Sequence, residues 1–196
     1  MVKDLAMKPF QSSFLSCEKD AEIILRKLFI ESRPYSDDLK RLLVINTSDC
    51  LDDKTNPVYV EKIQKMNLTQ LINEGYISLI PKIQLKEHDE IRSYIILTFD
   101  DFTPNATNPQ FRDCTVYIDV VCHLDYWKLN NYQIRPLKMV GFIDGILDNS
   151  RLTGIGTFQF IGCNMNRFDY DLNGYTLKYR AIHGSDDKLS ESDRIV

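Results

Sequence analysis

The chain of 196 residues lacks the features that mark several large classes of protein. It has no stretch approaching the roughly 18 consecutive apolar residues that a membrane-spanning helix needs, and its first residues lack the apolar core of a secretory signal peptide. Its five cysteines are odd in number, widely spaced and without a Cys-x-x-Cys pair, so they predict neither a disulfide framework nor a tetrahedral metal site. We therefore expect a protein kept in a reducing cytoplasm, with no membrane partner.

Positive charge is also in short supply. The 24 Lys and Arg are outnumbered by 28 Asp and Glu, which gives a formal net charge of −4 and an isoelectric point near 5.4. A general nucleic-acid binder usually carries a basic excess or a basic patch, whereas here the basic residues are scattered. General nucleic-acid binding is therefore not expected, while a hydrophobic share of 43% is enough to form one core.

Catalytic signatures are absent from the sequence as well. Gly141, Gly145, Gly154 and Gly156 form neither a Gly-x-Gly-x-x-Gly motif nor a phosphate-binding loop. No Gly-x-Ser-x-Gly elbow and no recognisable Cys–His nucleophile pair occurs. The sequence therefore predicts no catalytic residue, no metal ligand and no cofactor.

What the chain does contain is an ordered series of amphipathic segments. Helical spacing of apolar residues predicts a first helix over Cys17–Glu31, and a Ser-Asp-Asp start at residues 36–38 places a second. These N-terminal helices span residues 16–46. A loop-rich insertion is predicted over 47–76, in which Asn67 caps a short helix.

From residue 77 the apolar period changes towards two, which predicts β-strands. The segments in order are strands 77–85 and 91–102 joined as a hairpin, a loop at 103–113, a strand at 114–124, a helix at 134–147, and strands at 155–163 and 175–183. The predicted fold class is α+β: an antiparallel β-sheet with N-terminal helices, one helix packed on the sheet, and a closing C-terminal β-hairpin. We expect a single domain over 1–183, with the sheet and its helix in 77–183, and a flexible acidic tail at 184–196.

The third strand separates apolar from polar side chains. Cys114 and Cys122 fall on its apolar face as small buried hydrophobes, whereas Tyr117, Asp119 and His123 share the other face. Asp and His are competent metal ligands and proton carriers, so a metal-dependent enzyme centred on Asp119 and His123 is one hypothesis. A solvated or interface-facing side is the more ordinary use of such alternation. A further hypothesis is a small protein-binding or regulatory module that uses the aromatic C-terminal hairpin.

The helix at 134–147 is apolar on two sides, which predicts that it packs on two surfaces. One stripe runs through Leu137, Val140 and Leu147, and the other includes Met139 and Ile146. The first surface is the sheet. The second is either the N-terminal helices or a neighbouring subunit.

Three segments carry a resemblance to a known family. They are Thr-Val-Tyr-Ile-Asp-Val-Val at 115–121, Arg-Pro-Leu-Lys-Met-Val-Gly-Phe-Ile-Asp-Gly-Ile-Leu at 135–147, and Leu-Lys-Tyr-Arg at 177–180. With the order of the elements, they resemble the tail-terminator and head–tail connector proteins of tailed bacteriophages, over about a third of the chain. The Asn-, Ile- and Lys-rich composition is similar to that of low-GC phages of gut bacteria, such as the crAss-like phages.

The resemblance implies a non-catalytic structural protomer that is assembled in the host cytoplasm and works in the virion. Such protomers form a homo-oligomeric ring in the neck, stacked between portal or connector proteins and the tail, and DNA passes transiently through the lumen. Members join the head to the tail or terminate the tail.

A ring needs two different patches that meet on neighbouring copies. The residues predicted for this interface are Val140, Phe142, Ile146, Phe158, Phe160, Tyr175 and Tyr179. The polar residues predicted at the surface or lumen are Asp100, Asp101, Asp119 and His123, with Asp186 and Asp187 of the tail as further candidates. Acidic groups at the lumen would keep DNA from adhering during passage.

Overall fold

The computed structural model describes residues 17–52, 55–79, 92–106, 112–152 and 156–183. The helices in these ranges are α1 (Cys17–Arg26), α2 (Tyr35–Val44), α3 (Pro57–Lys65), α4 (Leu68–Asn73) and α5 (Arg135–Leu147). The strands are β1 (Ile77–Ser78), β2 (Ser93–Pro104), β3 (Arg112–His123), β4 (Arg151–Leu152), β5 (Gly156–Thr157), β6 (Gln159–Arg167) and β7 (Leu172–His183). A π-helical turn, Lys27–Glu31, follows α1, and a 3₁₀ turn, Leu124–Tyr126, follows β3.

The main sheet has the strand order β1-β2-β3-β7-β6, and β4 and β5 form a separate two-stranded pair. All neighbours in the main sheet are antiparallel except β1 and β2, which are parallel. The α+β fold class and the closing hairpin of β6 and β7 are therefore confirmed. The hairpin predicted between 77–85 and 91–102 is wrong, because a hairpin requires antiparallel partners.

Two strands extend into the segment predicted as a loop at 103–113. Thr103 pairs with Asp113 and Pro104 pairs with Arg112, beyond an irregularity that begins after Asp100. The strands could not be recognised there because Asp100, Asp101 and two prolines interrupt the alternation of apolar residues that predicts a strand.

The predicted insertion at 47–76 is more helical than expected. Pro57 begins α3 after Asn56, whose side chain accepts a hydrogen bond from the Val58 backbone N–H. Asn67 and Gln70 form a reciprocal capping box at the start of α4, as the Asn67 cap predicted. No helix in the described ranges is long and apolar enough to cross a bilayer.

Several predictions lie outside the described residues. These are the strand residues 80–85, the connection 86–90, Gly154, and the acidic tail 184–196 with Asp186 and Asp187. The boundaries of the single domain stay a prediction.

One face of the sheet, called the inner face here, is covered by α5 and the N-terminal helices. Two contacts fix the position of α5: Met139 Sδ lies 3.9 Å from Cys122 Sγ on β3, and Asp144 accepts a hydrogen bond from Tyr179 on β7. The other side of α5 contacts α2 and the π-helical turn. The side of α5 away from the sheet is therefore contacted by helices of the same chain, although Leu137 remains exposed.

Arg135 joins these layers through a guanidinium that is fully buried. Its Nη1 donates to the carbonyls of Leu42 and Ile45 at 2.6 and 2.9 Å, its Nη2 to Thr47 at 2.6 Å, and its Nε to Tyr126 at 2.8 Å. Carbonyls at the C-terminal end of a helix such as α2 lack partners within the helix, and a cation there is favourable. One side chain thus connects α5, the end of α2 and the turn after β3.

Replacing Arg135 with Lys is expected to destabilise the protein. An ammonium keeps the charge but has no planar fork that reaches four carbonyls at once, and lost bonds to a charged donor cost about 1.5–3 kcal/mol each. We expect Arg135→Lys to lower the free energy of unfolding by at least about 3 kcal/mol in urea titrations. The control is Arg151→Lys, at an exposed arginine of β4, for which a change within about 0.5 kcal/mol is expected. Equal urea midpoints for the two variants would contradict this role.

Candidate functional site

The face of the sheet opposite α5, called the outer face here, carries the polar side chains of the central strands. The strand registers align four residues across the sheet in each of three successive rows. From β2 to β6 the rows are Asp100–Thr115–Arg180–Gln159, Thr98–Tyr117–Lys178–Gly162, and Ile96–Asp119–Thr176–Asn164. The polar face predicted from the alternation in β3 therefore continues over four strands.

Asp119 lies at the centre of this face. It accepts a hydrogen bond from the Thr176 hydroxyl, and Thr176 Oγ1 in turn accepts one from the side-chain amide of Asn166 at 3.3 Å. Burial raises the pKa of the Asp119 carboxyl above its usual range, and the bond from Thr176 opposes that rise. The carboxylate is thus held in a cross-strand chain of polar groups at a cost in solvation.

Asp113, at the start of β3, accepts hydrogen bonds from a different set of side chains. Asn105 donates to its Oδ1 at 2.7 Å, and Arg180 donates to its Oδ2 at 2.5 Å. The bonds from Asn105 and Arg180 hold the pKa of Asp113 below its usual range. The charged form of this carboxyl is the favoured one.

The row between them joins an aromatic ring to charges on both sides. Tyr117 Oη donates to Asp101 Oδ2 at 3.0 Å, and Lys178 Nζ lies 5.6 Å from the centre of the Tyr117 ring. Asp100 and Asp101 are exposed. Asp101 has a φ of 56°, which places it in the left-handed region within the irregularity of β2.

Asp119 and His123 do not form one site. They are four residues apart on the same strand, which separates them by roughly 13 Å. His123 Nδ1 accepts a hydrogen bond from the Asp125 backbone N–H at 3.3 Å, at the start of the 3₁₀ turn. In the part of the chain that the structure describes, no group of three or more His, Cys, Asp or Glu could hold a metal ion. Asp119 and His123 are therefore too far apart to share one metal ion.

An open depression of about 1030 Å³ runs along the outer face and round the edge of β2. Its polar lining includes Tyr117, Asp119, Asn164, Asn166, Thr176 and Lys178, and its apolar lining includes Leu79, Phe99 and Phe102. The depression is wide and shallow, so it suits a protein surface better than a small molecule, which sites usually enclose.

Three of the predicted interface residues are unavailable to a neighbour. Ile146, Phe158 and Tyr179 are buried in the core of the single chain. The Tyr179 hydroxyl donates to Asp144 at 2.9 Å, and burial together with Asp144 raises the pKa of Tyr179. The interface prediction is wrong for these three, because their aromatic and branched side chains fill the space between α5 and the sheet.

The other predicted interface residues remain accessible to different degrees. Val140, Phe142 and Tyr175 are half-buried, and Phe160 is 44% exposed. The ring of Phe142 lies 5.8 Å from that of Tyr35 on α2, so part of its surface is covered within the chain.

Sequence reasoning missed an apolar patch at the start of α5, called the Tyr132 patch here and formed by Tyr132, Ile134 and Leu137. Tyr132 is fully exposed, while Ile134 and Leu137 are each about two-fifths exposed. Tyr132 also has a φ of 61°, after Asn131 at 57°. Asn tolerates this left-handed region, but an aromatic residue is strained there. The Asn-Asn pair at 130–131 was the available sequence signal for a turn of this kind.

The two central carboxyls are expected to give opposite responses to pH. Between the ordinary Asp value of 3.8 and the raised pKa of Asp119, the folded state binds more protons, so the Asp119 charge lowers stability as pH rises. For Asp113 the unfolded state binds more protons than the folded state. The stabilising contribution of the Asp113 charge is therefore present above the ordinary Asp value of 3.8 and is lost as the pH falls below it. Relative to the wild type, Asp119→Asn should therefore gain stability at neutral pH and Asp113→Asn should lose it.

The measurement is urea unfolding of the wild type and both variants between about pH 3 and pH 7. Both differences should shrink as pH falls below the ordinary Asp value. Two differences of the same sign at neutral pH would show that one of the two environments is misassigned.

Comparison with known proteins gives one positive finding. No curated protein matches the chain. The model of the YomW family, a phage-associated family, matches residues 36–181. The match runs from α2 to β7 and so includes α5 and the four long strands that form the outer face. Because it spans well over half of the sequence, the chain belongs to the YomW family.

Proposed function

We propose that this protein is a structural virion component that forms a ring in the phage neck, where it joins the portal and head to the tail or terminates the tail. The observation that carries the proposal is membership of a phage-associated family through the whole of α5 and the outer face. The sheet has helices on one face and a broad polar surface on the other, which suits a protein that acts by contact and not by catalysis.

The ring contacts would use surfaces that the single chain leaves open. A cyclic ring joins one patch to a different patch on the next copy. The Tyr132 patch is one such surface, because exposed apolar groups gathered in one place favour protein contacts. The depression on the outer face, with Asp119 and Thr176 in its lining, is a shaped polar surface that a neighbour could fill.

Acidic residues at one corner of the outer face fit the passage of DNA. Asp100 and Asp101 are exposed, while the nearby cations are engaged within the sheet, Arg180 by Asp113 and Lys178 by the Tyr117 ring. Exposed carboxylates repel phosphate groups. In the proposed ring this corner faces the lumen.

Disruption of the gene in the phage genome, with the full chain supplied in trans as the control, tests the proposed function. We expect particles with unjoined heads and tails, or tails of uncontrolled length, in negative-stain images. Supplying the chain should restore infectious particles. Normal infectious particles without this chain would overturn the proposal, and its recovery in a complex with a non-virion protein would instead support a regulatory module.

Tyr132→Gly separates a contact role from a structural one. Glycine relieves the strain of the left-handed conformation, so the free energy of unfolding should rise by about 1 kcal/mol. The variant should therefore unfold at a higher temperature than the wild type. If Tyr132 is a contact residue, the same variant should fail to restore infectivity in the disrupted phage. Tyr170→Gly, at another exposed tyrosine, is the matched control and should restore it. A Tyr132→Gly chain that is both more stable and fully active would exclude this residue from the contact.

A further inference from the structure

Among the strands that the structure describes, β6 pairs with β7 alone and so forms one end of the main sheet. Ile161 and Met165 are each 55% exposed on this strand. The start of β6 is covered, because the Phe158 N–H donates to the Ser150 carbonyl at 3.0 Å and the Phe160 N–H to Asp148 Oδ1 at 3.2 Å. Among the described residues, no strand covers the stretch from Gly162 to Arg167, called the open edge here.

The backbone groups that point out of the open edge can be identified from the hydrogen-bond pattern. The Phe168 N–H donates to the Leu172 carbonyl at 3.0 Å. In an antiparallel pair, residues alternate between bonding to the partner and pointing away from it. Counting back from Phe168, Asn166 and Asn164 therefore bond to β7. The N–H and C=O groups of the odd-numbered residues, Cys163, Met165 and Arg167, point outward.

The open edge has few of the features that normally protect an edge strand, which are charges, proline and bulges. Its one charged residue is Arg167, it has no proline, and its irregularity lies before Gly162. The opposite edge of the sheet is protected. β1 pairs with Ile95 and Ile96, the irregularity after Asp100 distorts the ladder, and Pro104 has no N–H to donate.

We propose that the open edge of β6 pairs with β6 of a second copy of this chain, antiparallel about a twofold axis at Met165. This register uses all three outward residues: Met165 meets Met165 of the partner, and Cys163 meets Arg167 of the partner in both directions. The main sheets of the two copies then join into one.

Side chains fit this register on both faces. On the inner face, the exposed Met165 meets its own copy beside Tyr175, its register partner on β7, so an apolar contact lies at the centre. Arg167 falls opposite Cys163 of the other copy, whose thiol lies in the field of Asp144. A positive charge is thus brought towards a negative one, and the two Arg167 side chains stay apart. On the outer face, Asn164 of one copy lies opposite Asn166 of the other copy.

Head-to-tail pairing of β6 with the β2 edge of a neighbour fits less well. The register aligns Thr98 of β2 with Gly162 of β6 across the sheet. Among the described residues, no strand pairs with β2 on this side from Thr98 to Pro104. This stretch runs away from the row in which the open edge of β6 begins. Joining these parts requires a slide along the strands, which gives a helical rise and an open filament instead of a closed ring. The twofold pairing needs no slide.

The crosslinking test uses the full chain with Cys17 and Cys163 replaced by Ser. In the proposed pairing the two residues at position 165 lie about 5.5 Å apart between Cα atoms, within the range for a disulfide. Met165→Cys in this background should therefore form a covalent dimer on mild oxidation, seen in non-reducing electrophoresis. Thr103→Cys, an exposed position on the β2 edge, is the matched control and should stay monomeric.

Sedimentation equilibrium tests the non-covalent dimer at about 100 µM protein. The wild type should have twice the 22.9 kDa of the single chain. Met165→Pro removes an outward N–H that the β6–β7 ladder does not use, so it should return the mass to that of a monomer with an unchanged circular dichroism spectrum. If that variant does not fold, Met165→Lys places a charge at the twofold axis and should have the same effect.

Three results would overturn the pairing: a monomeric wild type at this concentration, an oligomer in which Met165→Cys does not crosslink, or a folded Met165→Pro that remains dimeric. The pairing does not rest on the proposed neck function. A larger ring that fails to crosslink at position 165 would leave the neck proposal standing and remove this one.

Discussion

A buried guanidinium, that of Arg135, holds the helical layer of this protein in place. A buried charge costs several kcal/mol unless its donors are bonded, and here the donors reach four backbone carbonyls in two segments of the chain, residues 42–47 and the turn at Tyr126. The carbonyls must therefore keep one arrangement, which fixes the end of α2 against the start of α5. Since α5 contacts both α2 and the sheet, this side chain helps to fix the helices in the position from which their apolar residues pack on the inner face.

Because helices of the chain cover the inner face over the central strands, the surfaces left open are the outer face, the edges and the connecting segments. The polar groups of the outer face are bonded to one another across strands, as in Thr176 with Asp119 and Arg180 with Asp113. The two carboxyls have pKa shifts of opposite direction, a pattern known from acid–base pairs in enzymes. They are six residues apart on β3, roughly 20 Å, so they cannot act on one substrate atom. The face is a preformed surface.

The sequence was sufficient wherever a local period decided the structure. Alternation in β3 predicted both faces, helical spacing predicted α5, and Asn67 predicted the start of α4. It was insufficient where the answer depended on a distant segment. Apolar residues on two sides of α5 require two packing surfaces, but only the folded chain shows that one of these surfaces is α2. Arg135 looks like an exposed residue at a helix start, although its spacing of four from Met139 places it on the buried stripe.

The edges of the sheet constrain how copies can assemble. Pairing at β6 about a twofold axis relates two copies in opposite directions, whereas a neck has a defined direction from head to tail. One copy cannot therefore keep a twofold partner and also occupy a layer of a polar ring with all copies aligned. If both assemblies form, they belong to different stages: the pair covers the open edge before incorporation, and its separation exposes the outward groups of Cys163, Met165 and Arg167 to the next partner. An edge strand with a single charged residue is costly to leave bare, so in the proposed neck role the pair would cover this edge until the protein joins the particle.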